Sequence, residues 1–229
     1  MRALIVLLFS SQLAFAQQPA PDAYIPADLA SVLVPAESGS GRGPAVDLEK
    51  LDVQIDGLAR HAKKYPPTFA SEADKQLATT DAQKLIGILD ILNAPGESNI
   101  DLLRRAGFVC SMAHNLDVPG AGQKAAHYFS KLLETAPNDP QGNYLFGAFL
   151  GGAGKPDAAL PFLLKADSLG VANAPYALGI AYLMLGNKQK AIESLERYQK
   201  LAPEDRSIDP LLAAIRAGKV ESRNAPGTQ

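Results

Sequence analysis

The feature that most constrains the fold of this chain is a small pattern that returns three times in its second half. The last copy reads Leu178-Gly179, then Tyr182, Ala191, Leu195 and Pro203. The middle copy reads Phe146-Gly147, Leu150, Ala159 and Leu163, and in both copies the glycine precedes the alanine by 12 residues. The first copy keeps Ala125, Phe129 and Pro137 behind a looser Ala106-Gly107. The rear alanines stand 34 and then 32 residues apart. That is the period of a helix–turn–helix repeat, whose units bury their apolar faces only by stacking. Such arrays are binding surfaces, so the spacing indicates the kind of protein but not its partner.

Helical periodicity and turn residues place the units along the chain. Residues 99–139, 140–171 and 172–205 are three repeat units, each a pair of antiparallel helices. Residues 47–98 precede them as a divergent helical pair. Its first helix carries a stripe of Leu48, Leu51, Ile55, Leu58 and Ala62 and ends at Pro66-Pro67. Its second starts near Ser71, with Leu77, Ala78, Leu85, Ile88, Leu89 and Leu92 as the expected buried face. Pro161 is expected to disturb the rear helix of the middle unit, and Gly186 to end a front helix in a left-handed turn. A capping helix over 206–218, with Asp209 as its N-cap, covers the apolar end of the stack, and 219–229 form a disordered tail. No stretch alternates long enough to require a sheet.

The first residues read differently. Arg2, an apolar run from Ala3 to Phe9 and Ala14-Phe15-Ala16 describe a secretory signal peptide over 1–16, cut after Ala16. The run is far too short to span a bilayer, and no cysteine near the cut could carry a lipid. A soluble periplasmic or secreted protein is therefore expected. Residues 17–46 hold five prolines and Ser38-Gly39-Ser40-Gly41-Arg42-Gly43, the composition of a linker. Within them Tyr24, Ile25, Leu29, Val32, Leu33 and Val34 are apolar. They form either a sticky loose segment, the favoured reading, or one that docks on the folded body.

The formal net charge is −2, one unit more negative once Arg2 is removed, and no long run of either sign occurs. A nucleic acid or an anionic membrane would need a basic footprint, so neither is an expected partner. The one cysteine, Cys110, forms no internal disulfide, and the fold rests on apolar packing.

The repeat residues resemble the tetratricopeptide repeat family. Its units pair Leu-Gly with an aromatic three residues on, then an alanine, a bulky residue and a closing proline. The 172–205 copy matches at Leu178, Gly179, Tyr182, Ala191 and Pro203. The 140–171 copy has Leu150 for the aromatic, and the 99–139 copy has Cys110 there. The likeness covers about half the chain, from 100 to 219. It implies an all-α fold: antiparallel helix pairs stacked as a short right-handed solenoid, with Gly179 and Ala191 at the close approach within a unit and Tyr182 and Leu195 between units.

The resemblance further implies a non-catalytic adaptor or scaffold of the cell envelope, binding a protein or peptide on a concave face lined by the front helices. Carried over position by position, the binding residues are Arg104, Phe108 and Met112 in the first unit. Tyr144 and Ala148 follow in the second, and Tyr176, Ile180 and Met184 in the third. Asp101, Gln141, Gly152 and Asn173 share those columns. The family's clamp for a C-terminal carboxylate needs Lys, Arg and Asn at several of them, and only Arg104 and Asn173 could serve.

The competing expectation is an accessory or metal-dependent enzyme centred on Cys110, His114 and His127, since thiol and imidazole are zinc ligands. The residues favour a buried core thiol with turn and surface histidines instead. No CxxC, HExxH, nucleophile-elbow or phosphate-loop pattern occurs. Neither a catalytic residue nor a cofactor or metal is expected.

Overall fold

The computed structural model describes residues 21–34, 45–94 and 99–220. The expected signal peptide, the Ser/Gly stretch at 38–43 and residues 221–229 of the expected tail lie outside them, whereas Val220, also assigned to that tail, is 2% exposed and packs in the core. Among the described residues there are nine helices and one two-stranded ribbon. The chain forms two compact units, divided in sequence between Tyr128 and Phe129, inside helix α4 (Ala121–Thr135).

The unit before the division holds α1 (Leu48–Ala62), α2 (Glu72–Leu92) and α3 (Ile100–Asn115). Asp47 starts α1 by accepting the amides of Glu49 and Lys50, and Ser71 starts α2 by accepting that of Asp74; each cap satisfies otherwise orphaned donors. Leu51, Ile55, Leu58, Ala59 and Ala62 bury the inner face of α1. On α2 the buried stripe is Ala78, Asp81, Ala82, Leu85, Ile86 and Leu89. Leu77 was expected in that stripe and is 45% exposed, because it lies one residue off the Ala78–Ala82–Leu85–Leu89 line. Arg105 of α3 forks onto Asp52 of α1, with both bonds at 2.6 Å, and fixes the crossing of the two helices.

Residues 21–34 depart from the expected linker and from the loose-segment reading. Tyr24 and Val32 are 5% and 0% exposed. The Tyr24 ring stands edge-on to His61 at 5.5 Å and to Phe69 at 6.1 Å. The buried Asp81 carboxylate accepts the Tyr24 hydroxyl at 3.2 Å and the Ala27 amide at 2.8 Å. Asp28 donates its amide to Gln54 at 2.9 Å. A short antiparallel ribbon, β1 (Leu33–Val34) with β2 (Ala45–Val46), closes the far end in the register Leu33 to Val46 and Val34 to Ala45. The sheet was not expected; two residues per strand are too few to show alternation. The arm thus lies on α1 and α2, with a charged anchor holding its apolar residues down. Asp81→Ala is expected to leave two inward-facing donors unpaired, at about 1–3 kcal/mol each. Amide hydrogen exchange at Ala27 should accelerate, whereas Lys84→Ala, which removes only a surface partner of Asp81, should change little.

The unit after the division runs from the end of α4 through α5 (Pro140–Gly152), α6 (Pro156–Ser168), α7 (Ala174–Met184), α8 (Lys188–Leu201) and α9 (Ile208–Arg216). Its pairs meet through a glycine under a leucine. A Cβ on Gly147 would stand 2.7 Å from Leu163, and one on Gly179 would stand 2.6 Å from Leu195. Leu195 therefore fills the space within its own pair as well as joining the core shared with the following helix, the only place expected for it. Phe129, Phe146, Phe149 and Phe162 form an aromatic cluster where α4, α5 and α6 meet, with centroids 4.6 to 6.5 Å apart. Pro161 sits inside α6, which is unbroken from Pro156 to Ser168. Gly186 ends α7 at φ 74°, a backbone conformation that a side chain disfavours. Helix α9 packs Ile208, Leu212 and Ile215 against Leu183, Ala191 and Leu195. Its N-cap is Ser207 rather than Asp209, which lies in the first turn.

Candidate partner-binding face

Helices α5 and α7 lie side by side. Tyr144, Ala148, Tyr176, Ile180 and Met184 are all half-buried on them. Tyr144 packs over Ala166, Val171 and Ala174. Tyr176 lies against Tyr198 of α8, centroids 5.3 Å apart and rings tilted by 54°. Burial first, and then the nearby Tyr176, push the Tyr144 phenol above its ordinary value. Burial followed by Asp205 does the same to Tyr176. Both phenols therefore stay protonated and can donate as well as accept. Neither hydroxyl makes a hydrogen bond among the described residues.

Tyr198 was not among the expected binding residues, because it belongs to a rear helix. Its hydroxyl donates to Asp205 at 3.2 Å. Asp205 also accepts the amide and the hydroxyl of Ser207, so the carboxylate is held in the turn after α8. A tyrosine three residues past Leu195 on the same helix was the available signal.

The first-unit residues behave differently. Arg104 is ion-paired with Asp101 on its own helix at 2.7 Å, and Phe108 is half-buried. Met112 is a correction: it is 0% exposed and belongs to the core. Helix α3 packs on both α1 and α2 and is buried around most of its girth, so the column that leaves Met184 half-exposed on α7 is covered on α3. Of the flanking positions, Gln141, Gly152 and Asn173 are exposed, as is Asp101.

The three residues of the metal reading serve separate purposes. Cys110 is buried, and burial, followed by Asp90, pushes its thiol up to about 12. His114 lies over Gly122, where a Cβ would stand 2.9 Å from its Nδ1. His127 is exposed, its ring edge-on to Tyr128 at 5.6 Å. Among the described residues, no three His, Cys, Asp or Glu side chains gather as ligands. A thiol with so high a value is a poor nucleophile at neutral pH. Iodoacetamide at about pH 8 is therefore expected to spare Cys110 until the protein unfolds. The sign for stability follows from the raised value. The contribution of the neutral thiol is complete below the ordinary 9.0 and is lost as pH rises towards about 12.

No helix of the described residues is long and apolar enough to cross a membrane. No family model and no curated protein matches the chain. Among solved structures, the chain is similar to "MamA RS-1 ArsTM double mutant" at 24% identity and a TM-score of 0.53, over 65% of this chain and 83% of that one. A second is "Crystal structure of YrrB: a TPR protein with an unusual peptide-binding site", at 20% identity and a TM-score of 0.49, over 75% of this chain and 85% of that one. At 24% identity the first likeness is one of fold: with its paired helices and glycine-under-leucine contacts, the chain has the all-α helical-repeat fold of the tetratricopeptide proteins.

Proposed function

We propose that this protein is a non-catalytic adaptor that binds a protein or peptide partner on the face shared by α5 and α7. The observation that carries the reading is the pair Tyr144 and Tyr176. Two half-buried phenols sit on adjacent helices with their hydroxyls unengaged, flanked by Ala148, Ile180 and Met184. Tyrosine combines a large apolar ring with a polar tip and is over-represented among the energetic anchors of interfaces. The leader-like segment at 1–16 supports export to the envelope or beyond, and the mild acidity of the chain supports a partner other than nucleic acid.

Both tyrosines also contribute to packing, so truncating them would confound binding with stability. Ala148→Arg with Ile180→Arg is the cleaner test, since it places two charges on the face and removes no core side chain. The double variant should keep its helical circular dichroism and capture no partner that the unaltered chain captures from the extracytoplasmic fraction. Undiminished capture by the double variant would exclude this face. N-terminal sequencing of the same material should begin at Gln17.

A further inference from the structure

Unit by unit, the charge on the helices after the division is segregated. Helix α5 has 13 residues and α7 has 11, and neither carries an Asp, Glu, Lys, Arg or His. The helices behind them are charged: α6 bears Asp157, Lys165 and Asp167, and α8 bears Lys188, Lys190, Glu193, Glu196, Arg197 and Lys200. Asp167 and Arg197 answer each other, with bonds of 2.7 and 3.0 Å, and Lys190 lies over the Tyr182 ring. The one carboxylate that influences the tyrosines, Asp205, is engaged within its own turn. The α5–α7 face therefore offers rings, methyl groups and two phenol hydroxyls, and no charge of its own.

We infer that the occupant of this face is an uncharged apolar segment internal to a partner protein, held by its side chains against Ala148, Ile180 and Met184 and by its main-chain amides and carbonyls on the Tyr144 and Tyr176 hydroxyls. The inference rests on the reading of α5 and α7 as the binding face. A charged segment would lose its hydration there and find no counter-charge, which is costly. A terminal carboxylate would fare no better, since it needs cationic donors that α5 and α7 lack. A main chain in extended form presents a donor and an acceptor at each residue, and a neutral phenol can meet either.

The test is an array of short end-capped peptides of randomised sequence, probed with the full chain. Bound peptides should be depleted of Asp, Glu, Lys and Arg relative to the array, and binding should hold between about 50 and about 500 mM salt, because no screened charge pair contributes. The ring-preserving pair Tyr144→Phe and Tyr176→Phe should weaken binding several-fold with unchanged circular dichroism. Ile180→Lys should weaken the uncharged binders about tenfold and admit acidic ones. Charge-rich binders, or binding that falls steeply with salt, would overturn the partner class while leaving the face as the site, provided that Ile180→Lys still alters it. An array that stays silent, with the chain instead binding phosphatidylcholine vesicles, would overturn both the partner class and the adaptor reading.

Discussion

Gly179→Leu is expected to destabilise the second unit by about 3 kcal/mol, the upper end for forcing bulk into a filled core. The reason is geometric. The first added carbon would stand 2.6 Å from Cγ and 2.9 Å from Cδ2 of Leu195, and 3.3 Å from the carbonyl oxygen of Ala191. The Leu195 atoms near it include the branch point of a fully buried side chain, and the carbonyl is backbone, so neither yields cheaply. Even Gly179→Ala should lose stability, although alanine gains about 1 kcal/mol over glycine in a helix interior. Gly87 supplies the control. It lies inside α2 with nothing within 4 Å of its would-be Cβ, and Gly87→Ala should gain that propensity in full. Opposite signs at the two glycines, read by chemical denaturation, are the expected result. The same contact makes Ala191, which is 0% exposed, intolerant of leucine, while Lys188→Leu on the exposed side of α8 should be nearly neutral.

Phe129→Ala is expected to have the larger effect, about 3–5 kcal/mol. Among the described residues, Phe129 is the largest of the fully buried side chains. Its ring stacks on Phe146 at 5.6 Å and lies 6.2 Å from Phe149. Phe146 in turn lies 4.6 Å from Phe162 of α6. Removal would leave a void beside Phe146 and Phe149 of α5, and Phe146 cannot move into it without leaving Phe162 of α6. A fall in melting temperature of more than about 10 °C is expected for a unit of this size. Phe129→Leu should recover most of it, because leucine refills much of the volume. Equal losses for alanine and leucine would show that the cluster matters through its ring geometry rather than through the space it fills.

The repeat was legible because its period is carried by small residues. A side chain at Gly147 or Gly179 would run into Leu163 or Leu195, and Ala159 and Ala191 are fully buried, so small residues recur at these four positions. The end cap was legible from the need to cover the stack, although the capping residue was misplaced by two positions: Ser207 and Asp209 both have the chemistry of an N-cap. The arm was less legible. Its apolar residues hinted at docking, but its anchor is Asp81, and a carboxylate is ordinarily assigned to solvent. The signal was present in the spacing, since Asp81 stands three residues after Ala78 and four before Leu85, within the buried stripe of α2. An acid in such a stripe requires donors, and Tyr24 and Ala27 provide them.

For the proposed binding face, the repeat register and the tetratricopeptide resemblance sufficed to put Tyr144, Ala148, Tyr176, Ile180 and Met184 on front helices, where the structure has them. Met112 could not be assigned correctly, because its burial depends on α1 and α2 flanking α3, and those helices carry no repeat signature. The absence of charge from α5 and α7 was plain in the sequence, yet it acquires meaning only once the two helices are seen side by side.

Partners are proposed to meet the protein on the face shared by α5 and α7. Site-specific photo-crosslinking in the living cell tests it most directly, with a photoreactive phenylalanine analogue at Ile180 on α7 or at Leu164 on the exposed side of α6. Ile180 should give a discrete adduct that Ala148→Arg abolishes, and Leu164 should give none. Adducts at Leu164 with none at Ile180 would contradict the account.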